Sequence, residues 1–467
     1  GEAGTLLIDP LDLTIANGAG TDSAVTVYEQ NIETTSQGGT NVSLVADNSI
    51  AMQDLSDNVL QGGHGDISMS VGSSACIDCA ITFEDKLNDK IATTSGSITL
   101  TAADGVEGGV GTIDIGHLQT TENYADITIT AGGGGITAGN ISTGGLGLGV
   151  NYPGYIELTT TNGGDITVGD ISIIAEGEGE YSYTASADLY VEAAGSFDAG
   201  TIFVSANAAP YSSAYAYANA VLSASEDITV SGDITVQAIA TAVADADSAS
   251  ASAYLTVDAG QDINITGNIL VDADATIMSS SYGTNASADA KAELWADNIT
   301  INGNITVQAN ALTNGASASS ATAYAYLDVY ASGDLSLTGS TLVKADAQVS
   351  NGYGSSYYEA YAYADADLNA GNNTTIAGDI TVDANALYNA PYGSEASAEA
   401  YLNANAGYDL TINGNILVNA DATLQAGTDD ADADADANLN AGNNTTIAGD
   451  ITVQANALNN AVNGYSA

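Results

Sequence analysis

Polar and apolar residues alternate one for one along most of the chain, in blocks that recur. After Gly378 the positions Ile380, Val382, Ala384 and Ala386 are apolar, while Asp379, Thr381, Asp383 and Asn385 between them are polar. From Glu359 to Ala370 the residues Ala360, Ala362, Ala364, Ala366 and Leu368 share one face. Tyr361, Tyr363, Asp365 and Asp367 share the other. A period of two puts successive side chains on opposite faces of a strand. Each block therefore predicts a half-buried strand with small apolar residues inward and acids and tyrosines outward. The pattern predicts almost no helix.

The blocks belong to a repeat. Leu368 to Val382 reads LNAGNNTTIAGDITV, and Leu439 to Val453 carries the same letters 71 residues later (439 − 368). The glycine of each GDITV-like segment marks a unit at Gly232, Gly267, Gly303, Gly339, Gly378, Gly414 and Gly449. The spacings are 35, 36, 36, 39, 36 and 35 residues, with looser copies back through Gly200, Gly169, Gly139 and Gly111. One unit offers two or three strands and cannot bury its apolar face alone. Stacking units in parallel at the ~4.8 Å strand spacing buries a continuous Ile/Val/Ala column. The expected fold is an all-β parallel β-helix, or β-solenoid, with repeats of about 36 residues. One coil per unit is the primary reading, and two coils of about 18 residues is the alternative. Residues 1–100 form a less regular N-terminal region with a CxxC pair, and residues 101–467 form the repetitive solenoid. Variation in unit length falls in Ser279–Asn285, Asn351–Tyr358 and Asn389–Ser394, which read as loops on one side.

A longer period overlies the first. Three positions past the marker glycines stand Thr235, Leu270, Thr306, Leu342, Thr381, Leu417 and Thr452, an unbroken alternation. It implies duplication of paired units, about 72 residues at a time, from about residue 222. It also puts a leucine on the outward parity of every second unit, either beneath a loop or facing another chain.

Composition narrows the partners. The 467 residues include 58 acids, 4 lysines and no arginine, for a formal charge of −54. Binding to nucleic acid rests on Lys and Arg neutralising phosphates, so nucleic acid is excluded as a partner. Anionic membranes are repelled, and no run reaches the ~18 apolar residues of a membrane span. A 45% hydrophobic content argues against disorder, but much of it is alanine and tyrosine, which suits a thin core. No signal peptide pattern opens the chain at Gly1, which reads as a mature chain or a fragment whose leader lay upstream.

Candidate chemistry is sparse. Cys76 and Cys79 read as a structural disulfide of an oxidising compartment, with free thiols or a metal or redox pair as alternatives. His64 and His117 each follow a turn glycine and read as surface or ladder residues. Lys86, Lys90, Lys291 and Lys344 are scattered, so no catalytic constellation is expected and the protein reads as a non-enzyme. Asn268, Asn304 and Asn415 follow marker glycines and read as turn ladders. The 25 tyrosines either stack along the solenoid or present rings to sugars.

Calcium is the one cofactor expectation, because it prefers oxygen ligands. Gly62 to Ile67 (GGHGDI) and Gly108 to Asp114 (GGVGTID) each miss the GGxGxDxUx nonapeptide by one position. Asp365, Glu399 and Asp436 lie three residues before Leu368, Leu402 and Leu439. Stacking on that alignment brings them to roughly 5 Å, where neighbouring carboxylates repel by about 0.8 kcal/mol in bulk water. Salt screening relieves this, or bound calcium does, with Asp365, Glu399, Asp432, Asp434 and Asp436 as candidate ligands. The run Asp429 to Asp436 (DDADADAD) reads either as a solvated face or as a calcium-binding edge.

The opening Gly1 to Pro10 (GEAGTLLIDP), followed by Leu13-Thr14-Ile15, resembles the filamentous haemagglutinin family of two-partner secretion exoproteins. Gly96 to Ala102 (GSITLTA) and Gly164 to Gly169 (GDITVG) look like its rungs. The resemblance implies a right-handed parallel β-helix, export across a bacterial outer membrane, and adhesion; a secretion domain would lie upstream. The expected role is an extracellular structural or adhesive segment of a bacterial surface fibre, meeting surface glycans or host receptors. Two alternatives stand beside it. One is a self-assembling filament or sheath subunit, favoured by a chain that stops at Ala467 without a polar cap to close the stack. The other is a calcium-binding matrix protein.

Overall fold

Among the described residues strands predominate, and they assemble into three parallel sheets of 14, 15 and 13 strands, here sheets A, B and C. The structure, a computed structural model, describes all residues except 1–4, 9, 73–75, 77–78, 106–108, 123–124, 149–151, 180–182, 244–247, 279–283, 315–318, 351–358, 391–394, 427–429 and 461–467. Each repeat gives one strand to each sheet in turn, for example Glu359–Ala370 to A, Thr374–Ile376 to B and Ile380–Asn389 to C. The next strand, Glu395–Ala406, lies beside Glu359–Ala370 in parallel. The unit of about 36 residues is thus one coil, and the two-coil alternative is excluded.

Alternation decides which residues enter the core. Ala360, Ala362, Ala364, Ala366 and Leu368 of sheet A are buried, as are Ile380, Val382, Ala384 and Ala386 of sheet C. Beside sheet B the section is wide, and Leu368, Ile376, Ile380 and Val382 fill it. Farther along, sheets A and C pack directly on each other across a layer of alanine, with Ile277, Val349, Tyr388 and Leu424 buried at its outer end. Burying Leu, Ile or Val contributes about 1.5–3 kcal/mol each. Alanine contributes far less, so the alanine layer leans on the hydrogen-bond ladder between coils.

The coils widen along the chain. Sheet A strands grow from five residues at Ile98–Ala102 and Ile127–Ala131 to 11 at Tyr183–Ala193 and 13 at Thr284–Ala296. Sheet B strands stay at three or four residues from Thr112–Asp114 onward. Growth is therefore confined to the two facing sheets.

The marker glycines form a column with a steric cause. A Cβ on Gly303, Gly339 or Gly378 would come within 2.1–2.3 Å of the marker-glycine carbonyl oxygen one coil earlier. The next residue builds a turn ladder. Asn268 N–H donates to Asp233 Oδ1 at 2.7 Å, and Asn304 N–H to Asn268 Oδ1 at 2.9 Å. Asn415 N–H donates to Asp379 Oδ1 at 2.6 Å, and its own Oδ1 accepts from Asp450 N–H at 3.0 Å. The asparagines are turn ladders, as their positions imply. His117 starts the same ladder: its Nδ1 accepts from Asn140 N–H at 2.8 Å, and Asn140 Oδ1 accepts from Asp170 N–H at 3.0 Å.

Among the described residues one element departs from the strand pattern. Glu29–Gln37 is a helix with Ile32 buried. It lies along the strand Val59–Gln61, the first of sheet C. Glu33 Oε1 accepts from Gln61 N–H at 2.8 Å, and Ser36 Oγ donates to the Gly65 carbonyl at 2.7 Å. An exposed strand edge left unpaired is a template for association, and here the helix covers it. The glycines of the GGHGDI run make room for that cover. A Cβ on Gly63 would meet Gln37 Cα at 2.5 Å, and one on Gly65 would meet the Thr40 carbonyl oxygen at 2.2 Å. Asp66 accepts from Asn41 Nδ2 and Ser97 N–H, both at 2.9 Å, as a turn acceptor.

Of the three predicted loops, 351–358 lies outside the described residues, as do 279–283 and 391–394 of the others. Thr284 and Asn285 open a sheet A strand, and Asn389 closes a sheet C strand. No described helix is long and apolar enough to cross a membrane.

Candidate functional site

Outward side chains line up in columns along the stack, and the columns of sheet C follow one rule. Asp274, Asn310, Asp346, Asn385, Asp421 and Asn456 stand in register. Asn310 Nδ2 donates to Asp274 Oδ1 at 2.6 Å, Asn385 to Asp346 at 2.8 Å, and Asn456 to Asp421 at 2.6 Å. The neighbouring column holds Gln237, Asp272, Gln308, Lys344, Asp383 and Asn419. There Gln237 and Gln308 both donate to Asp272, at 2.8 and 3.0 Å, and Asn419 donates to Asp383 at 2.8 Å. In neither column does a carboxylate stack on a carboxylate. Hydrogen bonds to charged groups contribute about 1.5–3 kcal/mol each, against the repulsion of about 0.8 kcal/mol that an acid neighbour would add in water.

This alternation gives the two-unit period a physical cause. Leu270, Leu342 and Leu417 are half-buried on the same outer face, each in register with threonines. Phe203, opposite Thr235, extends the series one step earlier. Leu312, Leu387 and Leu458 form a second column in the opposite phase, separated by Gln348 and Thr423. Leucine thus never stacks on leucine in these columns.

Sheet A carries the predicted acids and follows a different rule. Asp365, Glu399, Asp432, Asp434 and Asp436 all project from its outer face, but not as one ladder. Asp365 is opposite Tyr401, and Tyr401 is opposite Asp436. Glu399 lies one column over, between Tyr363 and Asp434, and Asp432 stacks on Ser397. The leucine alignment fails because the turn glycines set the register. A Cβ on Gly407 would sit 1.9 Å from the Gly371 carbonyl oxygen, and one on Gly442 would sit 2.1 Å from that of Gly407. Counted from those glycines, Leu402 stands two residues earlier than Leu368 and Leu439. Asp429 of the DDADADAD run lies outside the described residues.

Tyrosine joins amide as a donor on this face, where Asn403 Nδ2 donates to Asp367 Oδ1 at 2.8 Å. Tyr363 Oη donates to Asp365 Oδ2 at 2.9 Å, Tyr361 to Glu399 Oε1 at 3.2 Å, and Tyr401 to Asp434 Oδ2 at 3.0 Å. Tyr254 donates to Asp289 Oδ2 at 2.5 Å. Burial first, then the Asp289 carboxylate it bonds, pushes the Tyr254 phenol up to about 12. The rings also meet one another: Tyr363 and Tyr401 centroids lie 5.7 Å apart, and Tyr324 and Tyr361 5.5 Å apart.

One stack of acids on sheet A is missed by the leucine alignment. Glu293, Asp328 and Asp367 stack directly, carboxylate on carboxylate, over three strands. Their signature is a position three residues before the strand-end alanines Ala296, Ala331 and Ala370. Burial, and then the Asp367 and Glu293 charges among other contacts, raises the Asp328 carboxyl. Beside the stack, Asp365 is 9% exposed, and its Oδ1 has no hydrogen-bond partner. Burial, only partly offset by the Tyr363 hydrogen bond, pushes Asp365 up to about 6. Lys291 closes one end: its Nζ pairs with Glu293 Oε1 at 2.8 Å and lies 5.4 Å from the Tyr326 ring centre. Trp295 and Tyr330, opposite each other and 38% and 51% exposed, flank the stack on the other side.

The remaining candidates are structural. Cys76 and Cys79 are joined in a buried disulfide with Cα atoms 5.6 Å apart. His64 Nδ1 lies 2.7 Å from Ser95 Oγ on the surface. Lys86 pairs with Asp114, Lys90 with the Gln119 amide oxygen at 3.1 Å, and Lys344 with Asp346 at 2.6 Å. Among the described residues no three His, Cys, Asp or Glu side chains converge in a metal-holding group. No family model, curated protein or solved structure matches the chain.

Proposed function

We propose that this chain is a non-enzymatic structural segment of an extracellular bacterial surface fibre or adhesin. The observation that carries this reading is the acid–amide alternation of sheet C. A stack of identical rungs accumulates like charge as it lengthens unless each charge is answered within the rung above or below. Here each Asp of the two central columns meets an amide or a lysine in an adjacent coil, so the unit can repeat without mounting repulsion. That is the requirement for length, and length is what a fibre needs. The resemblance of the opening segment to filamentous haemagglutinin exoproteins points the same way. The wide sheet A face, rich in tyrosine and acid, is the surface such a fibre turns outward.

Immunogold labelling of intact producing cells, with an antibody against the repeat, tests this. Label on projections outside the outer membrane is expected. Label confined to the cell interior sinks the proposal. Polymerisation of the purified chain, read by negative-stain microscopy, would move the assignment from fibre segment to self-assembling filament.

A further inference from the structure

The two wide faces handle charge in opposite ways. On sheet C each Asp of the two central columns is answered by an amide or a lysine. On sheet A, Glu293, Asp328 and Asp367 stack acid directly on acid, each with one flanking partner (Lys291, Trp295 and Asn403), and the Asp365 carboxylate beside them holds a buried oxygen without a partner. A single fibre chemistry does not require that difference, since asparagine at Asp328 would continue the sheet C rule.

The chain itself shows what the acidic stack accepts. Lys291 enters this face with its ammonium 2.8 Å from Glu293 and 5.4 Å from the centre of the Tyr326 ring. A carboxylate and an aromatic face together form the standard receptor for an alkylammonium group. Lys291 forms an ion pair with one acid of the group; Asp367 accepts from Asn403 Nδ2 at 2.8 Å, and among the described residues Asp328, Asp365 and Asp367 form no ion pair. Trp295 and Tyr330 stand exposed on the far side, and the Trp295 side chain hydrogen-bonds Asp328. The two halves are alike in joining acid to ring: the chain's own lysine pairs with the acid of one, while the acids of the other accept hydrogen bonds from Trp295 and Asn403 and pair with no cation among the described residues.

We propose that the outer face of sheet A, centred on Asp328 and Asp367 and walled by Trp295 and Tyr330, docks lysine side chains of a basic partner polypeptide. Charge complementarity supplies the attraction, since this chain carries −54 with four lysines. The acid stack supplies the location. The docked ammonium takes the place Lys291 takes beside Glu293, and its alkyl stem lies along the two rings. The inference stands apart from the fibre reading: a fibre segment without this site, or the site on a protein of another role, are both coherent.

Trp295 is the single tryptophan of the chain, so its emission reports the site directly. The probe is tetralysine, titrated at physiological ionic strength into the intact chain. A saturable change in Trp295 emission is expected. In the double variant Asp328→Asn, Asp367→Asn the affinity should fall tenfold or more, a loss of about 1.4 kcal/mol per decade. Asp272→Asn with Asp421→Asn removes the same charge from sheet C and should leave affinity within twofold. Tyr330→Leu, which keeps every charge, should weaken binding severalfold. Equal losses in the sheet A and sheet C variants would reduce the effect to bulk charge and overturn the site. An unchanged emission on titration would overturn it as well. Spermine serves as the second arm: binding as tight as tetralysine identifies a free polyamine site and overturns the polypeptide assignment.

Discussion

Exchanging one amide for one acid on sheet C, and one acid for one amide on sheet A, should change stability in opposite directions. Asn385 lies between Asp346 and Asp421 and donates to Asp346 Oδ1 at 2.8 Å and Asp383 Oδ2 at 2.9 Å. Asn385→Asp creates two carboxylate neighbours at the ~4.8 Å coil spacing, each repelling by about 0.8 kcal/mol in water. It also removes both donated hydrogen bonds, each to a charged acceptor and contributing about 1.5–3 kcal/mol. After allowance for side-chain rearrangement and salt, the coil should lose about 2–4 kcal/mol. Asp328→Asn does the reverse: it deletes the repulsion from Glu293 and Asp367 and should gain about 1–2 kcal/mol. Stacked coils open locally rather than all at once. The assay is therefore native-state hydrogen exchange by mass spectrometry, read over Ile380–Asn389 for one variant and Ser319–Ala331 for the other. Both effects should shrink as sodium chloride rises. Changes of the same sign in the two variants, or a change below about 0.5 kcal/mol for Asn385→Asp, a size usual for an uninvolved surface site, would refute the reasoning.

Other outcomes follow from the same geometry. Asp365 has a folded pKa of about 6, above the ~3.9 of an unfolded Asp. The folded state therefore binds more protons between those values, and stability rises as pH falls from 6 toward 4, by up to about 2–3 kcal/mol. Hydrogen exchange over Glu359–Ala370 should slow across that window beyond its intrinsic pH dependence, and Asp365→Asn should abolish the effect. Gly378→Ala places a methyl 2.3 Å from the Gly339 carbonyl oxygen and should cost about 2–3 kcal/mol through overpacking, seen as faster exchange in both flanking coils. If calcium bridges acids of the sheet A face near Glu399, Asp434 and Asp436, a few millimolar should raise the melting temperature at fixed ionic strength, by preferential binding to the folded state. Equal melting in calcium and chelator assigns the whole effect to screening.

Much of this architecture was legible in the sequence, and the exceptions share a cause. Period-two alternation in Glu359–Ala370 and Ile380–Asn389 predicts strand, parity and burial, because side chains on a strand have only two faces to choose between. The marker glycines Gly303, Gly339 and Gly378 predict the coil, because nothing larger fits where turn meets turn. Register is harder. Leu368 and Leu402 are both inward residues, and the core accepts alanine or leucine at either position, so aligning them slips the acids by one column. The turn glycines Gly371, Gly407 and Gly442 are the reliable ruler, and counting from them reveals the Asp365–Tyr401–Asp436 column. Counting from the strand-end alanines likewise reveals the Glu293–Asp328–Asp367 stack. The helix Glu29–Gln37 was not legible: its nine residues include one buried aliphatic side chain, Ile32, too little for a helical period to show.

Register underlies the charge ladders, the contrast between faces and the docking site, and one pair of spin-labelled variants tests it most directly. Asn369 is opposite Asn405, so nitroxides attached at these two positions sit on adjacent rungs about 5 Å apart at the backbone. Aligning the leucines instead would place Asn403 opposite Asn369, leaving the 369–405 pair about 8 Å apart. Continuous-wave spectra of the 369–405 pair should show strong spin exchange, and those of the 369–403 pair a weaker dipolar broadening. Stronger exchange in the 369–403 pair, or none in either, would contradict the account.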